Sequence, residues 1–357
     1  MAQSIFSQPI VTPQGFVDSA SLDGEMGRES YAHAQLCKMA QARYQVRQLL
    51  WKLVFATFLL MAIGSATRVM NAGLACPDWP LCYGTLVPAQ QMNLQVFLEW
   101  IHRLDASLIG LMTIGLVVLS VWRRHYLPQW LPWASGFALL LVCVQGALGA
   151  LTVTALLRFD IVTAHLGTAL CFFALLLSMA IALIPSIGPA KRAIASDAST
   201  MSPTASLVPS FFVWLSLGAT ILIYLQSLTG GLVGSRWALH QCLAIAHLCS
   251  VMNSHLLGVI PTTFCILGLW GWSWKQREQM DTLILGFIQL AGLLLILQIG
   301  LGIATFRLHL EVEPLTIAHQ TTGAALFGTL LCATIRGLLL RFPLATHEDQ
   351  RIAKQSP

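Results

Sequence analysis

Charge is what this sequence is short of. Aspartate, glutamate, lysine and arginine make up 10% of its 357 residues, against about 25% in a soluble globular domain. With a mean hydropathy of +0.71, a water-soluble globular protein is excluded. The first fifty residues lack an apolar core followed by a small-residue cleavage site, so these polar, mixed residues are expected to form a cytoplasmic extension rather than a signal peptide. Aromatic residues interleaved with a basic run are also missing. The formal charge of +5 comes from lysines and arginines split among short loops, a pattern that sets membrane topology and predicts no nucleic-acid partner.

Long apolar runs are what the chain has instead. Stretches of about 20 residues, enough to cross a bilayer, fall near 53–70, 94–120, 131–154, 161–184, 209–231, 250–271, 283–306 and 315–338. The expected fold is all-α, a polytopic membrane protein of eight transmembrane helices. Fifteen of the twenty basic residues then lie on one side, which places both termini in the cytoplasm and the chain in the cell (inner) membrane.

The chain also repeats itself. Gln145, Gly149 and Thr152 match Gln298, Gly302 and Thr305 at an offset of 153, as His102 matches His255, while His165 matches His319 at 154. One four-helix unit used twice gives two tandem, pseudo-symmetric bundles related by an axis along the membrane normal. The expected divisions are an extension over 1–50, a first half over 51–185, a linker rich in Pro, Ser, Ala and Thr over 186–208, a second half over 209–340 and a tail over 341–357.

Ten histidines sort by position. His33, His125, His240, His247, His309 and His347 fall in extensions or loops, where a solvated side chain suffices. His102, His165, His255 and His319 fall inside helices two, four, six and eight. For one such histidine an interhelical hydrogen bond is the simpler account; four at repeat-related positions favour metal ligands. Zinc wants four close ligands in one tetrahedral shell, and neither half supplies a second pair at the same depth. Two haem sites fit better, His102 with His165 and His255 with His319, because neutral imidazoles ligate haem iron axially and a flat apolar porphyrin stands between helices. Small residues after the later histidine of each half, such as Gly167 and Gly323, suit close approach of either a macrocycle or a neighbouring helix.

Aligning the halves on His102 and His255 sets Met252 opposite Glu99, Leu256 opposite Arg103 and Gly258 opposite Asp105. Holding a cofactor needs ligands and an apolar wall, whereas moving protons needs an ionisable group within reach. Chemistry is therefore expected in the first half, at Glu99, which shares a helix face with His102. The plainer account of Glu99 is an ion pair with Arg103 at i,i+4; Arg103 alternatively meets a haem propionate, and Asp105 faces the bundle interior. Cys76 with Cys82, and Cys242 with Cys249, are spaced for disulfides over short loops on an oxidising face, with a structural role simpler than a redox one.

Four segments carry a family resemblance: TRVMNAGLACPDWPLCYG (67–84), EWIHRLDASLIG (99–110), TAHLGTAL (163–170) and IAHQTTGAALFG (317–328). In that order they closely resemble the haem A synthase family of bacteria and mitochondria, and LACPDWPLC (74–82) is similar to its cyanobacterial members. The resemblance covers residues from about 50 to about 340. It implies an enzyme that oxidises the C8 methyl of haem O to the formyl group of haem A, for use in cytochrome oxidase. It also implies a catalytic Glu99, haem b between His255 and His319, and substrate porphyrin near His102 and His165. The family's loop cysteines carry over to Cys76 and Cys82 and to Cys242 and Cys249. Implied partners are membrane lipid, haem O and haem O synthase; an electron donor is required and the sequence names none, and there is room for a homo-oligomer. The alternative weighed against it is a di-haem b protein passing electrons between quinone and a periplasmic partner, with a transporter third.

Overall fold

Every helix of this chain begins or ends where an apolar run meets polar or turn-forming residues. The computed structural model describes residues 19–184, 208–234, 246–309 and 311–342, with side chains from residue 33 and, in the third segment, from residue 250. They form α1 (Ser19–Val69), α2 (Leu94–Trp122), α3 (Trp130–Thr154), α4 (Phe159–Ala182), α5 (Ser210–Val233), α6 (Ala246–Lys275), α7 (Thr282–Arg307) and α8 (Glu313–Arg341). All eight contain a span long and apolar enough to cross a membrane, so the chain is an all-helical multi-pass membrane protein. Lipid offers no partner to a backbone amide, and the helix satisfies those groups internally.

Local chemistry fixes the ends. Asn93 caps α2, its side chain accepting from Val96 N–H at 2.9 Å, and Asp281 caps α7 by accepting from the Leu283 and Ile284 amides. A proline at the first turn of α8 sits where its missing N–H costs nothing. Pro261 lies inside α6, which continues through it from Ala246 to Lys275.

The first helix departs from expectation. It starts at Ser19, far upstream of the apolar run near residue 53. Ala42, Val46, Leu50 and Leu53 recur at helical spacing and are fully buried in the same cluster as Leu116, Leu127 and Leu131. The apolar run near 53–70 lies inside this helix as expected, and the buried stripe carries its packing upstream as far as Ala42.

Packing is orderly. α1–α2, α2–α3, α3–α4 and α4–α1 are neighbours, as are α5–α6, α6–α7, α7–α8 and α8–α5. Contacts of α1 with α8, α4 with α8 and α4 with α5 join the two sets, and α4 and α8 are the most buried spans. Small residues make this seam. A Cβ on Gly328 of α8 would lie 2.9 Å from the Phe173 ring of α4, so the two helices touch only because it is absent.

Candidate functional site

All eight helices line one cavity of about 1640 Å³, larger than the roughly 300–1,000 Å³ of a pocket for one small ligand. His102, His165, His255 and His319 all line it, with Glu99 and Arg103. His102 and His165 lie close enough to interact electrostatically, and so do His255 and His319. The four histidines thus come together as two pairs, α2 with α4 and α6 with α8. Among the described residues no three His, Cys, Asp or Glu side chains converge as a metal cluster.

Each imidazole rests on a glycine of the helix before it. An added Cβ would lie 2.8 Å from His102 Cε1 at Gly64, 3.6 Å from His165 Cε1 at Gly149, 3.0 Å from His255 Cε1 at Gly230 and 3.0 Å from His319 Cε1 at Gly302. Odd helices supply the seat and even helices the donor, four times over. A glutamine four residues before the glycine adds a polar clamp in three cases. Gln145 Nε2 donates to the His165 carbonyl at 3.1 Å, Gln226 Nε2 donates to the His255 carbonyl at 2.8 Å, and Gln298 Nε2 lies 3.4 Å from His319 Nε2. The fourth position is Leu60.

The Nδ1 atoms of His102, His165 and His319 are buried, those of the first and last beside the backbone of Leu60 and Gln298, while His255 Nδ1 meets the Thr229 hydroxyl at 3.1 Å. Histidines that line an apolar space in pairs, each with its ring seated on a glycine of the preceding helix, are residues that would hold a flat, apolar macrocycle. The residues present therefore fit haem.

The loop between α1 and α2 closes one end of the cavity in the first half. Cys76 and Cys82 form a disulfide. Directly after the ring it closes, Cys82 and Thr85 pair through both backbone groups across Tyr83 and Gly84, whose φ values of 54° and 68° are the left-handed pair a tight reversal needs. Asp78 accepts from the Tyr83 and Gly84 amides at 2.7 and 2.8 Å. These bonds, chiefly that from Gly84, hold the Asp78 carboxyl below its ordinary pKa.

α2 grips this loop from below. Glu99, which is buried, pairs with Arg103 and accepts the Cys76 N–H at 2.8 Å. Arg103 also donates to the carbonyls of Asp78, Leu81 and Cys76, and Trp100 Nε1 donates to Leu86 O at 2.8 Å. Both Arg103 Nη atoms are thus committed to Glu99 and the loop. The i,i+4 ion pair and the shared face with His102 coexist: Glu99 holds the loop and lines the cavity. Asp105 is not among the lining residues; its Oδ2 is buried without a partner. Cys242 and the side chain of Cys249 lie outside the described residues.

Of the small residues after the later histidines, Gly167 faces Tyr224 and Leu228, and Gly323 faces Gln298. They admit neighbouring helices. Sequence reasoning missed the seats Gly64 and Gly230. Gly230 follows Gln226 as Gly149 and Gly302 follow Gln145 and Gln298, but that spacing points to nothing until an imidazole is seen against the glycine, and Gly64 follows Leu60 without the glutamine.

Fold and site together define a polytopic, all-helical membrane protein that presents two pairs of imidazoles to one apolar cavity. Residues 47–331 match the COX15-CtaA family of cytochrome oxidase assembly proteins. The chain is 31% identical to the heme A synthase of Shewanella oneidensis over 350 residues, covering 82% of this chain and 97% of that one. The heme A synthase of Rhodospirillum centenum is 26% identical over 334 residues, 79% and 86% of the two chains. That of Geobacillus kaustophilus is 34% identical over 158 residues, 42% and 44%. The chain belongs to the haem A synthase family, oxidoreductases that convert haem O to haem A.

Proposed function

We propose that this chain oxidises the C8 methyl of haem O to the formyl group of haem A, with the chemistry in the first half. The observation that carries this assignment is the one-sided acid: Glu99 lies three residues before His102 and lines the cavity with it, whereas Met252 stands at the equivalent place before His255. Haem O belongs between His102 and His165. Haem b belongs between His255 and His319, where, when bound, it supplies one-electron redox chemistry.

The chain's own residues do the rest. Gly64 and Gly149 set the two imidazoles of the first half, and Gln145 ties the His165 backbone to α3. Glu99 is held on one oxygen by Arg103 and on the other by the Cys76 amide, each oxygen keeping a further lone pair. So fixed, it receives a proton or steadies positive charge developing beside the substrate, at no cost of reorganisation. The disulfide loop brings Trp79 and Pro80 to the cavity wall and keeps water from that end. Arg103 positions Glu99 and the loop.

In this reading residues 51–185 and 209–340 are the two pseudo-symmetric halves, joined by 186–208 and flanked by the extension 1–50 and the tail 341–357. Both termini are cytoplasmic, the loop faces the opposite side of the inner membrane, and haem O synthase supplies the substrate.

Glu99→Gln is the test. The variant keeps the size of the side chain and an acceptor for the Cys76 amide. Normal haem content with no haem A in the extracted pigments is the expected outcome. Undiminished haem A formation would remove Glu99, and the first-half assignment with it.

A further inference from the structure

Charge around the cavity does not balance. Among the described residues Glu99 is the sole acidic residue lining it, and Arg103 neutralises it. Three further arginines, Arg68, Arg158 and Arg307, line the same space. Arg158 pairs with Asp160 at 2.7 Å. Arg68 and Arg307 have no acidic partner among the described residues. Arg307 is exposed at the end of α7. Arg68 stands at the seam between the two sets of helices, where Nη1 donates to Gly231 O at 3.0 Å. The segment after Gly234, residues 235–245, contains no aspartate or glutamate to offer it. A guanidinium beside an apolar cavity within a membrane protein is strongly unfavourable until an anion joins it.

The surroundings of Arg68 are shaped for one. A Cβ on Gly234 would lie 3.0 Å from Arg68 Nη2, 3.3 Å from Gln320 Nε2 and 3.3 Å from Gly230 O, which already accepts the Gly234 N–H, so two N–H donors converge on a spot that a side chain would fill. Ser65 Oγ donates to Gln320 Oε1 at 2.5 Å, which leaves the amide N–H groups for that spot. Packing alone does not call for these polar groups. Ser65 follows the His102 seat as Gly231 follows the His255 seat, and Gln320 follows His319 as Leu166 follows His165. At the equivalent contact a Cβ on Gly231 would lie 2.8 Å from Leu166 Cδ2, so one side of the seam is closed by an apolar contact and the other by Ser65, Gln320 and Arg68.

We propose that Arg68, with Gln320 beside it, binds a carboxylate of the tetrapyrrole held between His255 and His319. This rests on the assignment of haem to those histidines. The site belongs to the second pair because Gly231 and Gly234 follow the seat of His255, and Gln320 adjoins His319. A guanidinium fork matches a carboxylate with two parallel N–H···O bonds. Arg68 comes from α1, so the first half completes the second-half site.

The test compares two probes on the purified full-length chain, iron protoporphyrin IX and its dimethyl ester, which has the same ring and no carboxylate charge. Binding is followed by Soret titration in a His102→Ala background that isolates the second site. The free acid is expected to bind at least about tenfold tighter than the diester, the worth of one charge-assisted pair. Arg68→Gln removes that preference and leaves diester affinity unchanged, which also shows that the variant is folded; Arg68→Lys restores part of it. Equal weakening of both probes would make Arg68 a packing residue, and an undiminished preference in Arg68→Gln would place the carboxylate elsewhere; either overturns the proposal. If His255→Ala and His319→Ala leave binding untouched, the haem assignment itself fails.

Discussion

Substituting alanine at the four glycine seats separates ligand placement from general packing, because the seats are graded. At Gly64 the new methyl would lie 2.8 Å from His102 Cε1, against about 3.5–4.0 Å for carbon atoms in contact. The ring must retreat by about 0.7 Å or tilt. Overpacking of this kind costs about 1–3 kcal/mol, and a misplacement approaching 1 Å at a reacting centre costs about 10²-fold in rate. At Gly149 the same methyl meets His165 Cε1 at 3.6 Å, an ordinary contact, while alanine for glycine in a helix gains up to about 1 kcal/mol. The sign therefore reverses between two seats of the same half. Gly64→Ala should lose low-spin character at the first-half haem and most haem A formation. Gly149→Ala should keep both and melt no earlier than the parent. Gly230→Ala and Gly302→Ala, each at 3.0 Å, should fall between and disturb the other haem. Haem stoichiometry, the electron paramagnetic resonance of the ferric protein and thermal retention of the Soret band measure all of this. Equal damage from Gly149→Ala and Gly64→Ala, or none from Gly64→Ala, would refute the seating argument.

Two further outcomes concern the loop. The Asp78 carboxyl is held below its ordinary pKa, chiefly by the Gly84 N–H, so its contribution to loop order is complete above about pH 3.9 and is lost as pH falls through the depressed folded value. Exchange protection of the Tyr83 and Gly84 amides, corrected for intrinsic rates, should collapse below that range in the parent, and Asp78→Asn should abolish the pH dependence. Replacing Cys76 and Cys82 together by serine should cost about 2 kcal/mol, from the loop-closure entropy of a short ring, read as a lower melting temperature that dithiothreitol reproduces in the parent. A drop confined to haem A formation, with stability unchanged, would point to redox chemistry at the pair.

Much of this architecture is written in local patterns that sequence reading handles well. Eight apolar runs give eight helices because a bilayer-spanning segment has one physical solution. That the four helix histidines and Glu99 belong around one cavity was legible from the repeat offsets and from the missing counterpart of Glu99. Gly64 and Gly230 were not, because a glycine in a helix has no signal of its own until the neighbour that leans on it is known. Arg68 fell among the five basic residues outside the cytoplasmic majority and within the segment 67–84, with no role of its own. Its position at the seam depends on which helices of the two sets meet, information that is spread over residues more than a hundred apart. The early start of α1 was hidden for the opposite reason: its buried stripe is narrow, and averaging over a window washes it out.

The pairing of one odd helix with the next even one has a consequence for synthesis. A donor and its support are consecutive in the chain, so every second helix to leave the ribosome finishes one imidazole in its final seat. A chain arrested after α4 would already hold His102 and His165 with both of their seats. The last helix then seats His319 on Gly302, meets α4 at Gly328 and brings Gln320 to Ser65 and Arg68, so the contacts that join the two sets of helices through α8 are the last to close.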